Sequence, residues 1–244
     1  YDANAGKSYP TIYVMPEDGI KAYPEDIAEQ MNEVMKGDNG VDSILVFPEF
    51  TEDCDFREVT EAIVADVDET YATIADASAR AVMGTEIGGY MAYVQAITDK
   101  DEETGEYVVS NEPTTFASVA SICGDFVSED NIWYEEGGDV YSYLSTMGGK
   151  NSDAYTNYYT YLDCATEHEY SAMTNSTNDI GSMFIGWDSL MSYDIHEYTA
   201  RYGTYDAAFL KESINRVVNR FSKEFTAGMC TGSFTITPQV AASS

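Results

Sequence analysis

Glu86 stands between glycines in Arg80-Ala-Val-Met-Gly-Thr-Glu-Ile-Gly-Gly-Tyr90, a stretch whose first half reads as a strand and whose second half opens a helix. A sharp strand-to-helix turn crowds the backbone on both sides. It therefore calls for small residues such as Gly84, Gly88 and Gly89 around a strained central residue. Turns of this pattern ordinarily present a serine nucleophile, and here the central residue is a carboxylate. A serine nucleophile needs a histidine to take its proton and a carboxylate to hold that histidine. The chain has 2 His, His168 and His196, and neither lies in a motif with a Ser or Cys ready to pair with it. Glu86 could instead act as one member of a carboxylate pair of the kind that cleaves glycosides. That chemistry needs a second acid at a defined separation, for which Asp179 and Glu17 are the candidates.

Other chemistry-bearing residues have plainer readings. His168 is flanked by Glu167 and Glu169, but one His among acids on an acidic chain reads as a solvated edge, and no metal or cofactor is expected. Asp99-Lys-Asp-Glu-Glu-Thr-Gly105 alternates oxygen ligands as calcium loops do. Its Gly comes one place late and the twelfth position is Ser110, so a hairpin tip is the favoured reading. His196 is expected to be a structural strand residue. Tyr155-Thr-Asn-Tyr-Tyr-Thr-Tyr161, with Trp133, Tyr134, Tyr141 and Tyr143 upstream, offers flat rings with polar tips suited to stacking on sugar faces. Tyr155, Tyr158, Tyr159, Tyr161 and Trp133 are thus the candidate ligand contacts; the competing reading makes them core and lid residues.

The elements that must position these residues alternate. Tyr9 to Met15 and Asp42 to Phe47 read as buried strands, with a helix between them carrying Ile27, Met31, Val34 and Met35 at helical spacing. Val59, Ile63, Val67, Tyr71 and Ile74 form the next helical stripe, before the strand Arg80 to Met83 and the helix Ile87 to Ile97. Further strands are predicted at Thr115 to Ile122, His168 to Thr174 and Tyr193 to Ala200, and further helices at Ile180 to Met191 and Asp206 to Phe225. This alternation implies an α/β class with a central, mostly parallel sheet flanked by helices. Asp99 to Ser110 reads as an inserted hairpin, and the Tyr-rich stretch from Ser128 to Cys164 as a long insertion forming a wall over the Glu86 turn. Residues 1–236 are expected to form a single domain and 237–244 to begin a linker or tail, as in a module cut from a longer protein.

At 43 Asp plus Glu against 12 Lys plus Arg the chain carries a formal charge of −31, with 44% hydrophobic residues for a core. Such a field repels phosphate backbones and anionic lipid headgroups, which excludes nucleic acid and acidic membranes as partners. Apolar runs such as Ser43 to Phe47 are far shorter than a membrane span requires. The 4 Cys (Cys54, Cys123, Cys164, Cys230) form no CxxC pair and leave one or two disulfides open. Abundant Tyr, few Lys and high acidity suit a secreted protein.

Taken together, these motifs resemble the esterase D-like group of α/β-hydrolases, in particular the feruloyl and acetyl-xylan esterase modules of plant-wall-degrading enzymes. Tyr1-Asp-Ala-Asn-Ala-Gly-Lys-Ser-Tyr-Pro-Thr-Ile-Tyr-Val-Met15 is similar to their YDP-x-x-K-YPVLYLLHG segment, and Ile44-Leu-Val-Phe-Pro48 to their next strand. Arg80 to Tyr90 resembles their RAIAGLSMGGY elbow, Thr174-Asn-Ser-Thr-Asn-Asp179-Ile the TGTxDI turn of the triad acid, and Gly203-Thr-Tyr-Asp206 the GGHDW turn of the triad His. The resemblance covers nearly the whole chain and implies an α/β-hydrolase-like fold. It puts Glu86 at the nucleophile position, Tyr205 at the base position and Asp179 at the acid position. Met15-Pro16-Glu17 replaces the family's His-Gly at the oxyanion hole, to which Ile87 would also contribute. Pro16 has no N–H to donate, and Glu17 places negative charge beside a developing oxyanion.

The economical expectation is a catalytically inactive esterase-like module of a secreted, plant-cell-wall-associated (cellulosome-type), multi-modular protein. It would act by binding polysaccharide or other protein modules. Two competing readings stay open: an active carbohydrate ester hydrolase with non-standard catalytic residues, and a pure scaffold or interaction module.

Overall fold

The computed structural model describes residues 6–110, 112–126, 131–143, 145, 157–167, 174–175, 177–182 and 196–231. Six strands, β1 (Thr11–Met15), β2 (Ile44–Val46), β3 (Arg80–Thr85), β6 (Ser118–Ile122), β7 (Tyr159–Glu167) and β8 (His196–Thr204), form one sheet in the order β2-β1-β3-β6-β7-β8. Every neighbouring pair in it is parallel. A separate antiparallel hairpin, β4 (Thr98–Lys100) and β5 (Tyr107–Val109), stands where the sequence predicts one. Its tip is held by the Asp101 carboxylate, which accepts from the N–H groups of Glu103 and Thr104 and from the Thr104 hydroxyl. Helices among the described residues include α1 (Ile27–Met35), α2 (Phe56–Thr70), α3 (Glu86–Ile97), α4 (Tyr134–Gly137) and α5 (Ala207–Thr231).

Alternation of side chains along each strand feeds two apolar layers. Tyr13, Val82, Val119 and Leu162 pack on one face with Phe56 and Val64 of α2 and with Tyr90 to Val94 of α3. Ile12, Val14, Ala81, Met83, Ala120 and Ile122 pack on the other with Met31 of α1 and with Ile214, Val217, Val218, Phe221 and Phe225 of α5. Burial on both faces is why the central strands carry apolar runs such as Ile12 to Met15 and Ala81 to Met83.

Two sequence expectations need correction. The strand expected at His168 to Thr174 lies earlier, as β7; Thr174 is helical, and 168–173 fall outside the described residues. The Tyr-rich stretch hides this strand because Asp163 interrupts an otherwise apolar run. That carboxylate is fully buried. It accepts from Arg201 Nε at 3.1 Å and Nη2 at 2.9 Å, from the Ser213 hydroxyl at 2.9 Å and from the Tyr161 hydroxyl at 2.9 Å. Arg201 in turn pairs with Glu212 at 3.0 Å and lies over the Phe209 ring at 3.7 Å, so one charge pair ties β7, β8 and α5 together. The helical stripe expected from Val59 to Ile74 is shorter: α2 ends at Thr70, and its buried positions are Phe56, Arg57, Thr60, Val64 and Val67.

Among the described residues Cys54, Cys123 and Cys164 are free thiols. Burial pushes Cys164 up to about 11 and Cys123 higher still, which keeps both as unreactive thiols at neutral pH.

His196, at the start of β8, is buried with Nδ1 2.7 Å from the Thr160 hydroxyl. Burial, reinforced by the Arg220 guanidinium, pushes its pKa down to about 4 from an ordinary 6.5. Between those values the unfolded chain binds a proton that the folded chain refuses. Stability from this group is therefore present above pH 6.5 and lost as the pH falls toward 4. The loss expected is about 2 to 3 kcal/mol. In urea titrations near neutrality and again near the lower value, His196→Gln should lose less stability on acidification than the parent by about that amount. Equal losses in the two proteins would show that His196 is charged in the fold.

Candidate functional site

The elbow anticipated from the glycines is present. β3 runs into α3 through Glu86, whose φ is 50°, a left-handed conformation for a residue with a side chain. A Cβ on Gly84 would collide with the backbone of Gly88, and one on Gly88 would lie 2.6 Å from the carbonyl oxygens of both Met15 and Pro16. A Cβ on Gly89 would meet the Ser121 hydroxyl. The glycines thus let α3 sit directly against the ends of β1 and β6. The N–H of Asp125, beyond β6, donates to the Glu86 carbonyl at 2.9 Å and fixes the elbow from the other side.

Three of the sequence candidates meet at this elbow. Tyr205, on the turn from β8 into α5, donates its hydroxyl to Glu17 Oε1 at 3.1 Å. Glu17 follows β1 and Pro16, in a turn closed by the Gly19 N–H to the Pro16 carbonyl at 2.9 Å and by the Asp18 carboxylate, which accepts from the N–H groups of Ile20, Lys21 and Ala22. Burial, then the negative charges of Glu17 and Glu86, push the Tyr205 phenol far above its ordinary range. At neutral pH this hydroxyl keeps its proton, so the group at the base position does not serve as a general base. Two carboxylates facing it make the elbow a site of negative potential, which opposes an oxyanion forming there.

Asp179 is exposed, in a helical stretch at 177–182 well past the end of β7, and the Tyr205 hydroxyl is directed at Glu17 instead. Ile87 is half-buried beside Gly19 and Trp133; a Cβ on Gly19 would lie 2.8 Å from the Ile87 side chain and 2.7 Å from the Trp133 indole nitrogen. Trp133 is 1% exposed and donates its indole N–H to the Gly19 carbonyl at 3.0 Å. Its own backbone N–H is taken by Asn131, whose amide donates to the Asp125 carbonyl.

The stacking rings are redistributed by this structure. Trp133, Tyr158 and Tyr161 are each 1% exposed and have no free face for a sugar, which corrects their reading as ligand contacts. They are buried because the Tyr-rich stretch contains a central strand and an internal plug as well as surface: Tyr158 donates to the Ser110 carbonyl and Tyr161 to Asp163. Tyr159 is half-buried but begins β7, at the rim opposite Glu86. Tyr155 and His168 lie outside the described residues. The Asp163 and Arg201 pair and the Asn131 brace are missing from the sequence reading. An Asp inside an apolar run and an Arg within a strand are the signals that mark the first.

No protein-family model and no curated protein matches the chain. Solved structures do. A ferulic acid esterase matches with a TM-score of 0.65 at 14% identity, over 91% of this chain and 88% of that one. A mutant of the feruloyl esterase module from Clostridium thermocellum, complexed with sinapinate, gives 0.60 at 14% identity over 92% and 80%. The S-formylglutathione hydrolase FrmB from Staphylococcus aureus gives 0.56 at 12% identity over 88% and 82%. The chain has an α/β-hydrolase fold with esterases among its structural neighbours, as the sequence resemblance implies.

Proposed function

We propose that the chain is a catalytically inactive esterase-like module that acts by binding. The observation that carries this reading is Glu86, in the left-handed conformation of a nucleophile, facing a Tyr205 hydroxyl that donates to Glu17. A hydroxyl nucleophile, a proton acceptor and a positive oxyanion site are each replaced by a group of the wrong kind. The feruloyl esterases among its structural neighbours, with the acidic, Tyr-rich composition, support placing the module in a secreted, plant-wall-associated, multi-modular protein, with polysaccharide or other protein modules as partners. The test is hydrolysis of 4-nitrophenyl acetate and methyl ferulate, for which the expected rate equals that of buffer with an inert acidic protein. Turnover near about 1 per second or faster, lost in Glu86→Ala, would overturn the reading.

A further inference from the structure

A concavity lies at the end of the sheet opposite Glu86. The Ala117 N–H donates to the Ala77 carbonyl at 3.0 Å, and the Tyr159 N–H donates to the Ala117 carbonyl at 2.8 Å, so the starts of β3, β6 and β7 are laced together there. Over them opens a cavity of about 410 Å³ lined by Asp76, Ser78, Glu112, Asn157 and Tyr159, among others. We propose that this cavity binds a neutral saccharide unit, with Tyr159 as its stacking platform.

The lining chemistry selects the ligand. Tyr159 is half-buried, and the buried Arg220 guanidinium lies 6.0 Å from its ring centre. An aromatic ring in the lining of a cavity suits the C–H face of a pyranose. The same lining holds the Asp76 and Glu112 carboxylates, the Asn157 amide and the Ser78 hydroxyl, the last donating to Asp76. Carboxylates accept from the hydroxyls of a polyol in charge-assisted bonds, and an amide both donates and accepts. Among the described lining residues two are carboxylates and none is Lys or Arg, which disfavours phosphates, sulfates and uronates, whereas an uncharged polyol has no charge to desolvate. The volume falls within the usual range for small-ligand sites. This inference builds on the reading of the chain as a binding module but not on the state of the Glu86 elbow.

The experiment is calorimetric titration of the whole chain with xylohexaose, cellohexaose and spermidine. At least one hexasaccharide should bind, and Tyr159→Ala should weaken it by about tenfold while Tyr159→Phe retains it. Because Tyr159→Ala also removes packing, Asn157→Ala and Glu112→Gln, both at exposed positions, should weaken binding several-fold with unchanged melting. The inference fails if neither hexasaccharide binds at millimolar concentration, if spermidine binds in their place, or if all these variants bind as the parent does. Absent sugar binding together with absent ester turnover would sink this inference and leave the inactive-elbow reading intact; ester turnover would sink the latter alone.

Discussion

Glu86→Ser is expected to leave the protein without esterase turnover, although it places a hydroxyl on a well-formed elbow. The β3-to-α3 turn, with Gly84, Gly88 and Gly89, already supplies the conformation, so geometry at the nucleophile is not what limits the variant. The missing part is a base. Tyr205 holds its proton far above neutral pH while its hydroxyl donates a hydrogen bond to Glu17, which leaves a new serine as an unactivated alcohol. Loss of the histidine alone costs about a millionfold in kcat in a serine protease, and loss of one oxyanion donor costs about a hundredfold or more. Here Pro16 and Glu17 add the second penalty to the first. Combining Glu86→Ser with Tyr205→His should therefore give only a trace of methyl ferulate hydrolysis, rising when Glu17→Gly is added. Fast turnover by Glu86→Ser alone would mean that another base reaches the elbow.

Arg201→Met should destabilise the fold by about 3 to 5 kcal/mol, because it leaves the Asp163 carboxylate buried without its cation. The same change removes contacts to Glu212 and the Phe209 carbonyl, so β7, β8 and α5 all lose a tie. For a chain of this size the melting temperature should fall by roughly 10 °C or more. Pairing Arg201→Met with Asp163→Leu should recover much of the loss, since replacing a buried ion pair with apolar groups of similar volume is often close to neutral. A fall of under about 1 kcal/mol in the single variant would show that water or another cation reaches Asp163.

The readability of this chain follows how local each constraint is. β1, α1, β3, α3 and β6 are legible because a strand buried on both faces is a continuous apolar run and a covering helix repeats every three to four residues. The elbow is legible because close backbone approach leaves glycine no substitute at three nearby positions. β7 is not, because its central Asp163 is compensated by Arg201 and Ser213, 38 and 50 residues away, and a sequence window sees only the charge. The rings of Trp133, Tyr158 and Tyr161 present the same difficulty. A tyrosine suits a sugar platform or a core position whose hydroxyl finds a carbonyl, and only the distant partner decides between them. At the site, the pairing of Tyr205 with Glu17 spans 188 residues, whereas the family resemblance directs attention to Asp179.

The placement of Trp133 gives the protein a built-in optical probe. The chain contains 2 Trp, and this one has its indole N–H held by the Gly19 carbonyl, beside Ile87 of α3. An indole shielded from water emits at shorter wavelength than one in solvent. In a Trp187→Phe background, the emission of Trp133 therefore reports directly on whether the Pro16 to Ala22 turn stays seated over α3. A red shift of that emission on denaturation would mark the loss of this contact without a label, and independently of whether any substrate exists.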